Sequence, residues 1–440
     1  MSRNQFRLFI TAILMGTFLV PVNSTMITIG LTTIAASFGR SLTEASWIIT
    51  IYLIVMAATQ PVAGKLGDLF GYKRMFLIGL GLSLIGSIAC VFSFNLWSMI
   101  VFRSFQALGG SLAVPNGTAL LRHVVAKEKL SQTFGFFGLL MGLGAAVGPL
   151  AGSVLISTWG WKSIFWVNIP FLLISFAIAV FILPKTDRKE SRIDFLGSLT
   201  LAVSLSLIVL FITHPDWIKW WSVVILMVCI ALFIVVELKC KYPLIEFGLF
   251  RDRSFSGANV SILLSNSVMY GTILMIPILF EQRFSISIEK VGLFMFVFSL
   301  SMSLCSWLGG WLSTKIGQEK LITLAFILQL ISICFYMGMS ADSSIFFMIS
   351  ALIIGGLGAG IGLPSMQTKN LESVSKEKTG VASGIYSTFR YMGGMTASAM
   401  VSILFSSQSI FYILAGLALT GGVLSFSIKA KSVLEEKASA

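Results

Sequence analysis

Apolar residues fall along this chain in long runs bounded by charges or turn residues. The runs can be drawn at 8–30, 44–66, 75–93, 97–121, 133–157, 163–184, 193–213, 218–237, 256–281, 291–314, 320–339, 343–364, 379–405 and 408–428. About 20 consecutive apolar residues suffice to cross a bilayer as a helix, so the pattern predicts fourteen membrane-crossing helices. An even number places both termini on one side of the membrane. Composition agrees, with 56% hydrophobic and 11% charged residues over 440 positions, where a soluble domain carries about 25% charged.

Charge then orients the helices. With the N-terminus cytoplasmic, the outer loops hold only Arg40, Lys162, Lys219, Arg283 and Lys290. Arg103 and Arg390 fall inside spans, and the rest of the 31 Lys and Arg lie on the inner side. That bias predicts a multi-pass protein of the cytoplasmic membrane with both termini cytoplasmic. The net charge of +13 reports topology, and nucleic acid is not an expected partner. Arg3 and Arg7 before an apolar core resemble a signal peptide, but thirteen further spans and the lack of a convincing cleavage site favour a retained first helix. The five cysteines are scattered without CxxC or metal spacing, so they read as packing residues, with no metal or cofactor expected.

A repeat divides the chain. Gly64-Lys-Leu-Gly-Asp68-Leu-Phe-Gly71-Tyr-Lys73-Arg74 joins the second and third spans, and Gly310-Trp-Leu-Ser-Thr314-Lys315-Ile-Gly317-Gln-Glu319-Lys320 joins the tenth and eleventh. Gly, Leu and Gly recur at matching offsets and both copies end in a cation, which predicts six spans on each side of an inserted pair. The expected bodies are an N-terminal six-helix bundle over 1–190, an inserted pair over 191–240 and a C-terminal bundle over 241–440. Asp68 can cap a helix start, or pair with Lys73, Arg74 or a neighbouring helix end. Thr314 holds its place in the second copy, so only the first could latch by charge.

The fifth span carries Gly144, Gly148, Pro149 and Gly152. Glycines four apart lie along one side of a helix and let a neighbouring backbone approach closely, while the proline removes a donor and invites a bend.

Together these motifs resemble the major facilitator superfamily, specifically its fourteen-helix drug:proton antiporters. The Gly64–Arg74 loop looks like G-x-L-x-D-x-x-G-x-[RK]-[RK], and 144–152 like the antiporter motif G-x-x-x-G-P-x-x-G. Arg103-Ser-Phe-Gln106-Ala-Leu-Gly109 resembles R-x-x-Q-G-x-G with Ala107 for the first glycine, and Trp161 to Pro170 resembles W-R-x-x-F-x-x-N-x-P. Pro243 to Arg251 resembles that branch's loop before the ninth helix. The resemblance implies an all-α membrane protein of the major facilitator fold, two six-helix bundles plus two inserted helices around a central cavity that opens to alternate sides. It also implies a fifth helix packed at the bundle interface, and it assigns Arg103 to proton relay or to the charge balance of the cavity.

An antiporter needs a group that binds and releases a proton. Where the family's first helix has an acid, this chain has Asn23, which cannot titrate. Glu281, at the end of the ninth span where family members usually have glutamine, and Arg103 are the first candidates for proton coupling. Asn23, Thr28, Gln60, Asn116, Tyr270, Tyr386 and Arg390 are the polar candidates for the substrate cavity.

The expected function is secondary active export of hydrophobic or amphipathic small molecules by proton antiport, in a protein working as a monomer in the lipid bilayer. Export of a specific metabolite or lipid by the same fold, or a non-transporting membrane sensor, are the alternatives. An intramembrane enzyme would need a nucleophile, metal or acid–base cluster, but His123 and His214 are the only histidines and fall in opposite loops.

Overall fold

The computed structural model describes residues 2–186, 194–240, 245, 247–286, 288–404 and 409–426, and its regular structure is entirely helical among them. In hydrocarbon every backbone donor and acceptor needs a partner within the segment, which a helix provides. The predicted runs fall on helices α1 (Arg3–Ser37), α2 (Trp47–Phe70), α3 (Tyr72–Val91), α4 (Leu96–Val124), α5 (Lys127–Trp159), α6 (Asn168–Ile182), α7 (Phe195–Thr213), α8 (Trp220–Lys239), α9 (Arg253–Ile278), α10 (Ile288–Ile316), α11 (Gln318–Met337), α12 (Ile345–Ile361), α13 (Thr379–Leu404) and α14 (Ser409–Ser425). Eleven candidate spans are long and apolar enough to cross a membrane. The helices outside that set are α4 and α13, which carry Arg103 and Arg390, and α14, apolar but 17 residues long.

Short polar residues between the runs start the helices. Asn95 accepts from the Ser98 amide at 2.8 Å to begin α4, Asp194 from Gly197 at 2.8 Å to begin α7, and Asp252 from Phe255 at 2.8 Å to begin α9. Each satisfies an amide that the first turn leaves without a carbonyl. The two repeated loops turn on glycine: Gly71 has φ 90° and Gly317 φ 95°, a region that penalises any Cβ.

The described residues gather into two compact units. One takes in Met1–Ala126, Leu140–Glu246 and Ser375–Thr388, and the other Lys127–Leu139, Phe247–Val374 and Phe389–Ala440. In the first, α2, α3 and α4 pack closely, α1 lies on α6, and α7 ties the α7–α8 hairpin to α2. A core of Met26, Ile34, Ile48, Cys90, Met99 and Phe165 fills its α1–α4 end. In the second, α10, α11 and α12 pack together, while α14 lies on α9 and α11. Phe280, Phe294, Phe298, Tyr336 and Phe411 lie at the centre of its core.

Candidate functional site

The Gly64–Arg74 loop is built around a buried carboxylate. Asp68 is 7% exposed on the last turn of α2. Its Oδ1 accepts from the Gly380 amide at 2.8 Å and from the Tyr72 hydroxyl at 2.5 Å, and its Oδ2 accepts from the Val381 amide at 3.0 Å. Gly380 and Val381 open α13, so Asp68 caps a helix start 312 positions away in the chain. The first four amides of a helix lack carbonyl partners and carry the positive end of its dipole, and one carboxylate answers both needs. Capping a helix start was one of the alternatives that the sequence left open, and the structure shows it.

The approach depends on absent side chains. A Cβ at Gly64 would overlap the Gly380 carbonyl and come within 3.3 Å of the Gly384 Cα, and one at Gly384 would meet the Gln60 carbonyl at 2.9 Å. Lys73 turns the other way and donates from Nζ to the carbonyls of Val180 and Leu183, both at 2.7 Å. It therefore satisfies the C-terminal end of α6. Arg74 is exposed.

Two participants were not singled out from the sequence. Tyr72 lies four residues after Asp68, across the Gly71 corner at the start of α3, and its place inside the repeated loop was the available signal. His123, in the last turn of α4, hydrogen-bonds through Nε2 to the Lys376 carbonyl at 3.0 Å, and its ring lies 5.0 Å from that of Tyr72. Burial is the main influence on His123 and pulls its imidazole below the ordinary histidine value, opposed by the Lys376 bond; Arg122 and Lys376 also lower it, and Glu377 raises it. No sequence signal placed His123 here. The other histidine, His214, stacks on Trp47 at 4.4 Å beside Thr50, with its ring nitrogen 3.3 Å from the Thr50 hydroxyl.

The α5 stripe packs against α1. A Cβ at Gly144 would meet Phe18 and Val22 at 2.8 Å, one at Gly148 would overlap the Thr25 hydroxyl, and one at Gly152 would lie 3.2 Å from the Met26 Cα. Pro149 is on the same helix, with its side chain outside the described residues.

Asn23, on α1, accepts from Asn168 Nδ2 at 2.7 Å. Thr28 is exposed and donates to the Ser24 carbonyl at 3.0 Å. Asn116 Nδ2 donates to the carbonyls of Ala63 (3.0 Å) and Leu112 (2.8 Å). Gln60 is fully buried, and its side-chain amide has no hydrogen-bond partner among the described residues. Arg103 is 1% exposed; its guanidinium lies 4.3 Å from the Tyr52 ring centre and donates from Nη1 to Gln106 Oε1 at 2.5 Å. Tyr386 is buried on α13.

In the second unit, Arg390 is half-buried, 5.5 Å from the Tyr391 ring centre. Tyr270 is 40% exposed on α9, its ring against Gly394. Glu281 is exposed on the widened turn Leu279–Arg283 that ends α9. Among the described residues no group of three or more His, Cys, Asp or Glu is arranged to hold a metal ion.

The sequence profile described as Major Facilitator Superfamily matches residues 13–250 and 258–439. The chain is 42% identical over 431 residues to the uncharacterized MFS-type transporter YvkA of Bacillus subtilis (strain 168), covering 97% of each. It is 29% identical to the riboflavin transporter RibZ of Clostridioides difficile (strain 630), covering 91% of this chain and 88% of that protein. It is 26% identical to the multidrug transporter protein MdtP of Bacillus subtilis (strain 168), covering 93% and 77%. Among solved structures, the human organic anion transporter MFSD10 superposes with a TM-score of 0.71 at 16% identity, over 95% of this chain and 99% of that one, a likeness of fold. The chain belongs to the Major Facilitator Superfamily, and it is a multi-pass membrane transporter, not an enzyme.

Proposed function

We propose that the protein exports hydrophobic or amphipathic compounds across the cytoplasmic membrane by proton antiport, working by alternating access as a fourteen-helix drug:proton antiporter. The observation that carries this reading is the side-chain-free stripe of Gly144, Gly148 and Gly152 fitted against α1. Small residues along such a stripe let two helix backbones approach closely, as the resemblance expects of the fifth helix. Similarity to a protein named as a multidrug transporter supports the breadth of substrate. The proposed arrangement has both termini cytoplasmic, bundles over 1–190 and 241–440, the pair 191–240 inserted between them, and a monomer as the working unit.

Glu281 is the proposed proton carrier, with Arg103 setting the charge that the proton must balance. Asn23, Thr28, Gln60, Asn116, Tyr270, Tyr386 and Arg390 are proposed substrate contacts. Everted vesicles with an acidified lumen test the reading: adding a transported compound should discharge part of the proton gradient. Silence across a broad panel of drugs would sink it. Glu281→Gln should abolish uphill transport and spare binding.

A second reading, export of one specific metabolite, is favoured by similarity to a protein named as a riboflavin transporter. It predicts gradient discharge by a single compound class.

A further inference from the structure

Arg103 is the most deeply buried cation described in the first unit, and three of its five N–H donors, on Nε and Nη2, have no partner among the described residues. Guanidinium nitrogens form two edges toward which bidentate acceptors can dock. On one side Nη1 is taken by Gln106 Oε1 at 2.5 Å, and Gln106 is itself fixed by donating from Nε2 to Ser87 Oγ at 2.8 Å. Tyr52 covers one flat face at 4.3 Å. The remaining edge, Nε with Nη2, has no hydrogen-bond partner among the described residues. Its N–H bonds run parallel, at the spacing of the two oxygens of one carboxylate.

Among the described residues, no carboxylate is recorded as a counter-charge to Arg103. Asp68 is committed to Gly380 and Val381, and Glu237 accepts from Ile245. The groups that interact electrostatically with Arg103 are Tyr52 and Cys90, neither of them a carboxylate. Position 23, on α1, holds an asparagine bonded to Asn168. A guanidinium away from water is stable only when it is paired and its donors are satisfied. Water can fill donors, but only an anion answers both conditions.

We infer that the buried, unpaired Nε–Nη2 edge of Arg103 receives a carboxylate of the transported compound, so that the carrier selects anionic amphiphiles. The inference rests on the export reading and narrows its substrate class.

The test uses purified full-length protein in nanodiscs with two fluorescent probes, dansyl-undecanoate and its carboxamide, which differ only in the charged head. Charge-assisted hydrogen bonds predict at least about tenfold tighter binding of the carboxylate by the wild type. Arg103→Gln should erase that preference. Arg103→Lys, which keeps the charge but not the fork, should retain only part of it. If Arg103→Gln fails to fold, Arg103→Lys and the infrared carboxylate bands of isotope-labelled probe on the wild type decide the matter. Equal binding of both probes by the wild type overturns the inference, as does a preference that survives both substitutions. Gradient discharge in vesicles by neutral compounds, with no carboxylate preference, would overturn it while leaving the export reading standing. Failure of every compound to discharge the gradient would remove the export reading itself.

Discussion

The two copies of the repeated loop solve one packing problem in different ways. At the first, α2 meets α13 at its start: Gly64 lies against Gly380, the second residue of α13, where amides lack carbonyls, and Asp68 accepts from two of them. At the second, α10 meets α5 a turn further in. Gly310 lies against Ser131 and Gly135, with a Cβ there 2.5 Å from the Ser131 carbonyl and 2.8 Å from the Gly135 Cα. Ser131 is the fifth residue of α5, so its amide already has a helical partner. Nothing there needs a carboxylate. Thr314 is exposed and donates to its own helix at Trp311 (2.8 Å), while Ser313 donates to Ser131 at 2.5 Å. The second copy places its charges elsewhere, with Glu319 paired to Lys369 at 2.5 Å. The missing acid thus follows from where the neighbouring helix begins.

The largest effect should come from filling the contact the two loops share. Gly64→Ala and Gly310→Ala each push a methyl into backbone and should each destabilise by about 1–3 kcal/mol, the range for overpacking, read as a lowered melting temperature in detergent. If Gly64→Ala is neutral, the close approach of α2 to α13 is not a constraint. Next, Asp68→Asn keeps the shape but loses the charge at the α13 start. Losing charge-assisted bonds predicts about 1.5–3 kcal/mol and a marked fall in transport; an equal loss from Thr314→Ala would erase the contrast.

A smaller effect concerns pH at the first loop alone. His123 has its value lowered in the folded protein, so stability is full above the unfolded value of about 6.5. It should fall as pH drops from there through the folded value, because the unfolded chain takes up the proton more readily. Melting curves between pH 7 and 5 should show an acid-dependent loss that His123→Gln reduces; an unchanged pH profile would exclude this histidine as the sensitive group. The smallest effect is expected of Thr314→Asp. With no free amides opposite, the added acid should shift the melting temperature by no more than an exposed charge does, within about 0.5 kcal/mol. A clear stabilisation would mean that the second loop can latch after all.

Much of this could be read in the residues. Gly71 and Gly317 announced two corners that demand glycine, and both have positive φ. The glycine stripe at 144–152 announced a close helix neighbour, and one is there. Neither pattern named its partner, because a smooth stripe fits any helix of matching shape. Asp68 illustrates the same limit: capping a helix start was among its visible options, yet the first amide it caps lies 312 residues along the chain. His123 looked like a loop residue until Lys376, just before α13, came beside it.

Hydrophobic runs and flanking charges are local quantities, so the sequence alone determined a helical, membrane-embedded chain, its helix positions and its twofold internal repeat. Pairings across hundreds of residues depend on which surfaces meet once the helices pack. Only the tertiary structure decided that Asp68 holds α13, that Lys73 closes α6, that α5 rests on α1, and that one buried edge of the Arg103 guanidinium has no partner among the described residues.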